Sequence, residues 1–217
     1  MSEPKLTLYA ESTWLSPWVF HAMVAIEEMG LPYRLEVEPL PIPEARKREL
    51  RERTILGKIP ILIDGDIWIS ESLAITEYLA ERFPAPQYPR LFPADPLQRA
   101  RARQILSALR TGFFSLREER PTSTIFGKQE GKPAAKPLTE KAKVDADELL
   151  RIAGALIRPG ATSMFDTWCV ADADLTLALM RMVVASDPMP PAIAEYTAAQ
   201  WARPGIRKFM SHTAAGR

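Results

Sequence analysis

Five prolines, Pro84, Pro86, Pro89, Pro93 and Pro96, fall within thirteen residues of a 217-residue chain. Each lacks a main-chain N–H and holds φ near −65°, so no regular helix or central strand runs through the stretch. It reads as a linker, residues 84–96, between an N-terminal domain, 1–83, and a C-terminal domain, 97–217. The length suffices for two small hydrophobic cores.

The N-terminal half alternates strand and helix patterns. Residues 5–10, Lys-Leu-Thr-Leu-Tyr-Ala, alternate as a strand does, and Pro17 to Met29 carries a helical pattern that Gly30 is placed to end. Tyr33 to Glu38 has apolar residues at every second position, as a half-buried strand requires, and the Arg/Glu-rich stretch 43–53 reads as a polar helix. Ile59 to Ile63 and Asp66 to Ile69 flank Asp64-Gly65, a dipeptide suited to a tight hairpin turn. A third helix runs from Glu71 to about Phe83. The order β-α-β-α-β-β-α gives a mixed sheet with helices on its faces, which is the order of the thioredoxin fold.

Beyond the linker the patterns are helical, with main segments Leu97–Arg117, Leu138–Ile157, Asp172–Ala185 and Ile193–Trp201. The fold class is therefore an α/β thioredoxin-like N-terminal domain followed by an all-α domain. Gly127 to Lys143, rich in Lys, Gly, Ala and Pro, reads as a mobile loop leading into a helix.

Composition excludes several classes of function. With 47% hydrophobic and 25% charged residues and a net charge of +1, the chain does not advertise a nucleic-acid partner. Its apolar runs fall far short of the roughly 20 residues of a membrane span. No apolar signal-peptide core follows Met1-Ser2-Glu3-Pro4-Lys5, so a cytoplasmic location is the expectation. Cys169 is the single cysteine, and His21 and His212 are the two histidines, so no disulfide, C-x-x-C pair or multi-histidine metal site is expected. Patterns of the G-x-S-x-G, Walker A and G-x-G-x-x-G kinds are not seen.

Two dipeptides carry the functional reading. Ile59-Pro60 opens a strand, and Glu71-Ser72, eleven residues on from Pro60, opens a helix. Taken singly, the first is an edge-strand device and the second a helix cap. At this spacing within this order the chain resembles the glutathione transferase family along its whole length. That family carries a cis-proline after Val or Ile and an acidic-Ser pair at the start of the third helix. The resemblance implies that the main chain of Ile59 pairs with the cysteinyl backbone of glutathione. Glu71 then takes its α-ammonium, and the Ser72 hydroxyl with the helix-start amides its α-carboxylate. Lys58 can reach the glycyl carboxylate or stay solvated. The loop Thr54-Ile55-Leu56-Gly57-Lys58 departs from the family's frequent Asn-Pro-x-Gly-x-Val-Pro approach.

The sulfur needs a donor, and Ser16-Pro17-Trp18 offers one. Proline suits the first helical turn, which puts the Ser16 hydroxyl at the N-cap beside the positive end of the helix. A thiol held there is acidified from about 8.5 towards neutrality, so Ser16 stabilises a thiolate rather than taking its proton. The segment resembles the Cys-Pro-Tyr of cysteine-type relatives with Ser for Cys, which implies a serine-type, bacterial-style member in which glutathione itself is the nucleophile. Ser12 and Thr13 compete for this role, and Tyr9 does so more weakly because it lies within the strand. Helix capping is the alternative for Ser16.

The remaining expectations concern packing and partners. Trp14, Trp18, Phe113 and Phe114 can wall an apolar second-substrate pocket or fill core. Cys169-Val-Ala-Asp172 resembles the family's Ser/Thr-x-x-Asp capping box, with Cys weakening one half, so Cys169 reads as a structural thiol and Asp172 as a folding residue. Arg203 to Phe209 resembles the family's usual terminal segment. Arg99, Arg101, Arg103 and Arg110 read as a solvated or dimer-facing surface, and His21 as a helix residue near a domain or subunit contact. The resemblance implies a homodimer that binds glutathione and a small electrophile, without metal, nucleic acid or membrane. Conjugation and reduction of organic hydroperoxides both remain open. So do a glutathione-dependent isomerase or dehalogenase and a non-enzymatic interaction module on the same scaffold.

Overall fold

A computed structural model of the chain describes residues 5–128 and 134–216. It forms two compact units that divide between Leu91 and Phe92, inside the proline-rich stretch.

In the first unit the elements are β1 (Leu6–Glu11), α1 (Pro17–Glu28), β2 (Tyr33–Glu38), α2 (Glu44–Arg53), β3 (Ile61–Asp64), β4 (Ile67–Ser70) and α3 (Ser72–Arg82). This is the order read from the sequence. The sheet runs β2-β1-β3-β4, with β1 parallel to β2 and antiparallel to β3. Helix α1 supplies much of the core: every residue from Val19 to Ile26 is buried, which suits a helix lying between β1 and α3. His21 lies inside this unit, fully buried on α1, with Nε2 3.3 Å from the Thr76 hydroxyl of α3.

Three details depart from expectation. Strand β3 begins at Ile61, so Ile59 and Pro60 precede the ladder instead of belonging to it. The hairpin turn is centred on Gly65-Asp66, one residue later than Asp64-Gly65, because Asp64 pairs with Ile67 and Gly65 takes the positive φ of +60°. On β2 the alternation reverses at its end, where Val37 is exposed and Glu38 buried. The cause is an ion pair: Arg46 of α2 holds the Glu38 carboxylate at 2.6 Å and draws it inward.

The second unit contains α4 (Pro96–Thr111), α5 (Phe114–Glu119), α6 (Thr122–Phe126), α7 (Glu140–Leu156), α8 (Val170–Ala185), α9 (Pro191–Trp201) and α10 (Pro204–Met210). Asp95 caps α4, accepting from the Gln98 N–H at 2.8 Å, with Pro96 in the first turn. The helix expected across Leu97–Arg117 is two helices. Gly112 ends α4 in an extended conformation and Phe113 turns into the left-handed region at φ 58°. Asp145 of α7 then accepts the Leu116 N–H in the first turn of α5. The loop expected at Gly127–Lys143 lies partly outside the described residues, and the helix after it starts at Glu140, capped by Thr139.

Helix α8 is the centre of this unit, buried from Val170 through Leu177. Its buried charged groups are paired, as burial demands, whereas the buried Thr176 hydroxyl has no hydrogen-bond partner among the described residues. Asp174 binds Arg110 at 2.6 Å, and Arg181 donates to the Arg120 carbonyl at 2.6 Å. Arg110 is therefore an inward ion-pair partner rather than a solvated surface group, and Arg99 is turned onto the carbonyls of Pro93 and Ala94. Arg101 and Arg103 are exposed. Asp172 reaches back to the Cys169 N–H at 2.9 Å, with the cysteine sulfur where a capping hydroxyl would stand. Burial and the Asp172 charge push the Cys169 thiol well above its ordinary range, so it is a structural thiol. No helix among the described residues is long and apolar enough to cross a membrane.

Candidate active site

Strand register brings the sequence-predicted residues of the first unit to one end of the sheet. Tyr9 near the end of β1 pairs with Ile61 at the start of β3, and Ile61 pairs with Ser70 at the end of β4. The loop after β1, the Ile59-Pro60 step and Glu71-Ser72 follow or precede these three positions directly. Tyr9 and Ile61, far apart in sequence, thus meet because β3 folds back beside β1.

A cavity of about 550 Å³ lies at this end, lined by Ser16, Lys58 and Ile59 together with Glu11, Thr13, Lys47 and Arg51. Pro60, Glu71, Ser72, Trp14 and Trp18 are not among its lining residues. Ser16 is the N-cap of α1, and its Oγ accepts from the Trp18 and Val19 N–H groups, each at 3.3 Å. An oxygen that accepts twice keeps its own proton to give away, beside the positive end of a 12-residue helix. Of the competing hydroxyls, Thr13 Oγ1 donates its proton to Glu11 in a short hydrogen bond, whereas Ser12 Oγ accepts from the Leu40 N–H at 3.1 Å and keeps its own proton but is not among the cavity's lining residues. Tyr9 is stacked on Trp68 at 5.9 Å with Arg46 over its ring.

The Ile59–Pro60 peptide is cis, as are Leu40–Pro41 and Ala85–Pro86. Ile59 sits outside the ladder, and no main-chain hydrogen bond engages it among the described residues. An extended peptide laid beside it would find an unused N–H and C=O. Glu71 is the N-cap residue of α3, exposed, at φ 70° and ψ 114°, and its side chain makes no capping bond. A glutamate in the left-handed region costs free energy, and such outliers cluster at ligand sites. Ser72 behind it is buried.

The approach loop is pinned by its own chemistry. Thr54 Oγ1 donates to the Leu50 carbonyl at 2.7 Å and accepts from the Gly57 N–H at 2.9 Å. Gly57 has φ +62°, and a Cβ there would lie 2.8 Å from Arg51 Cγ, so both backbone and space require glycine. Lys58 beyond it is exposed on the cavity rim.

Of the aromatic residues, Trp14 is buried at φ 55° and Trp18 half-buried in the first turn of α1. In the second unit, Phe113 forms the left-handed step before α5, and Phe114 is 64% exposed with the Arg117 guanidinium 5.5 Å from its ring.

Sequence reasoning missed Glu11, Lys47 and Arg51. The basic pair was findable, since residues four apart on a polar helix share a face. Glu11 was less so, because its partners are main-chain amides. It is buried, and its carboxylate accepts from the amides of Thr13, Trp14, Leu15 and Ser16 at 2.7, 2.8, 2.8 and 2.9 Å.

Known proteins show the same organisation. The N-terminal domain family of glutathione S-transferases matches residues 15–82, and their C-terminal domain family matches residues 95–215. A solved structure of a glutathione transferase homologue from Burkholderia, with bound glutathione, is 32% identical, has a TM-score of 0.77, and covers 95% of this chain and 96% of that one. Among curated relatives, glutathione S-transferase U13 of Arabidopsis thaliana is 35% identical over 42% of this chain and 39% of its own length. A probable maleylacetoacetate isomerase of Caenorhabditis elegans is 33% identical over 60% of this chain and 58% of its own. The matches thus span less than two thirds of either curated relative. The C-terminal domain match alone takes in more than half of this chain, and with both domains matched in order, the chain belongs to the glutathione S-transferase family.

Proposed function

We propose that this protein is a serine-type glutathione transferase in which Ser16 stabilises the glutathione thiolate. Ile59 would then pair with the cysteinyl backbone, Glu71 and Ser72 would hold the γ-glutamyl end, and Lys58 the glycyl carboxylate. The observation that carries the reading is the Ser16 hydroxyl, with its proton uncommitted, at the mouth of α1 in a cavity shared with Ile59 and Lys58. A donor beside a helix N-terminus favours the anionic form of a thiol.

The second substrate is a small hydrophobic electrophile or an organic hydroperoxide. In conjugation the sulfur forms a new bond to the electrophilic carbon and a leaving group departs or a double bond takes up the electron pair. In peroxide reduction the sulfur attacks an oxygen, the O–O bond breaks, and the alkoxide takes a proton. A second glutathione then converts the sulfenic acid to disulfide and water. The assembly would be a homodimer in the cytoplasm.

The relative named as a probable maleylacetoacetate isomerase supports a second reading, in which thiolate adds to a double bond and later leaves, so that glutathione returns unchanged. Ultraviolet absorbance of the bound thiolate against pH, in wild type and Ser16→Ala, tests the site. A thiol pKa below that of free glutathione in wild type and restored in the variant is expected. If wild type binds no glutathione, the enzyme reading is lost to that of an interaction module. Product analysis with a conjugatable aryl halide, cumene hydroperoxide and a cis-enone then separates the reactions.

A further inference from the structure

We propose that Glu11 is the positioning residue of the thiolate site and the reason thiolate stabilisation rests on a single hydroxyl; this builds on the Ser16 reading above. The main-chain donors between β1 and α1 are all engaged within the protein. Ser12 donates its N–H to the Glu38 carbonyl at 2.9 Å. The amides of Thr13 and Trp14 go to Glu11 Oε2, and those of Leu15 and Ser16 to Glu11 Oε1. Pro17 has no N–H. Trp18 and Val19 donate to Ser16 Oγ, and Phe20 donates to the Ser16 carbonyl at 3.1 Å. Every amide from 12 to 20 is spent inside the protein.

Two consequences follow. Four successive amides, Thr13 to Ser16, wrap around one carboxylate, so Glu11 sets where Ser16 Oγ stands. The same wrapping leaves no main-chain oxyanion hole in this loop to substitute for that hydroxyl, in contrast to sites where backbone N–H groups share the charge. Both oxygens of Glu11 must accept for this to work, and a carboxylate is the side chain that does so. In Glu11→Gln, whichever way the amide is turned, an NH₂ faces at least two N–H donors.

The test is a double-mutant cycle of Glu11→Gln and Ser16→Ala, read by bound-thiol pKa and by kcat and KM separately. Glu11→Gln is expected to raise the bound thiol pKa by about one unit and to lower kcat by on the order of tenfold to a hundredfold. The Kd for glutathione should stay within about threefold, because Ile59, Glu71 and Ser72 are untouched. On the Ser16→Ala background the same change should have almost no further effect on kcat, within about twofold, since Glu11 acts through Ser16. Glu11→Asp, which keeps two acceptor oxygens, should fall between wild type and Gln.

Amide hydrogen exchange of the wild-type protein tests the claim without any variant that must fold. Amides 13–16 should be protected by at least about a hundredfold over free-peptide rates. Unprotected amides, a Glu11→Gln protein with wild-type thiol pKa and kcat, or effects that add to those of Ser16→Ala would each overturn the proposal. If Ser16→Ala abolishes the depressed thiol pKa while Glu11→Gln keeps it, only Glu11 is misassigned. If wild type shows no depressed pKa, the Ser16 reading itself has failed.

Discussion

The Tyr196 hydroxyl of α9 donates to the Asp172 carboxylate of α8 at 2.6 Å, and both side chains are buried. Asp172 also accepts from the Met164 and Cys169 N–H groups, so one carboxylate ties the preceding loop, the start of α8 and the middle of α9 together. Asp172→Ala strands three buried donors at once and is expected to cost on the order of 3 kcal/mol or more, whereas Tyr196→Phe removes one bond and should cost about 1–2 kcal/mol. Urea denaturation midpoints with unchanged m-values measure both. Equal losses in the two variants would mean that Asp172 does not gather these elements.

The same pair sets a pH dependence. Burial first and the Asp172 charge second raise the Tyr196 hydroxyl well above its ordinary value of 10.0. An unfolded tyrosine ionises above pH 10 while Tyr196 in the fold stays protonated, so the native state binds more protons there. Its stabilising contribution is therefore full below pH 10 and is lost as pH rises above it. The difference in stability between wild type and Tyr196→Phe should be constant from pH 7 to 9 and shrink between pH 10 and 11.

The order of elements in the first unit was legible because its strands alternate, its first helix is punctuated by Gly30 and its hairpin by Gly65, and each element is short. What escaped reading depended on partners distant in sequence or invisible in it. Val37 looked like the buried residue and Glu38 the exposed one until Arg46 reversed them. Gly112-Phe113-Phe114 looked like the continuation of an apolar helix, since a left-handed phenylalanine has no signature in sequence. Around the cavity, the N-cap position of Ser16 was readable from the proline beside it, while Glu11 was hidden because a carboxylate satisfied by amides leaves no pattern of side chains.

Arg120 and Asp187 form a two-pronged pair, Nε to Oδ2 and Nη2 to Oδ1, each at 2.8 Å, and Arg120 Nη2 also donates to the Lys136 carbonyl. Arg120 is 4% exposed. A lysine keeps the charge but offers no planar fork, so Arg120→Lys should destabilise by about 2–4 kcal/mol in spite of its conservative look. Calorimetry of the variant against Asp187→Asn checks this. A lysine protein within about 0.5 kcal/mol of wild type would show that charge alone suffices.

Glu71 offers the sharpest separation of stability from function. Its φ of 70° is a conformation glycine adopts without penalty, whereas in other residues it stores about 1–3 kcal/mol. Glycine also costs about 0.5–1 kcal/mol of backbone entropy on folding, so the net gain of Glu71→Gly is about 1 kcal/mol. The same substitution removes the carboxylate expected to hold the γ-glutamyl ammonium, a charge-assisted bond whose loss weakens binding by about tenfold or more. Glu71→Gly should therefore melt higher than wild type and bind glutathione more weakly, by thermal denaturation and calorimetric titration. A variant that melts lower would show that the exposed glutamate side chain supports α3. One that melts higher but binds glutathione unchanged would place the ammonium group elsewhere.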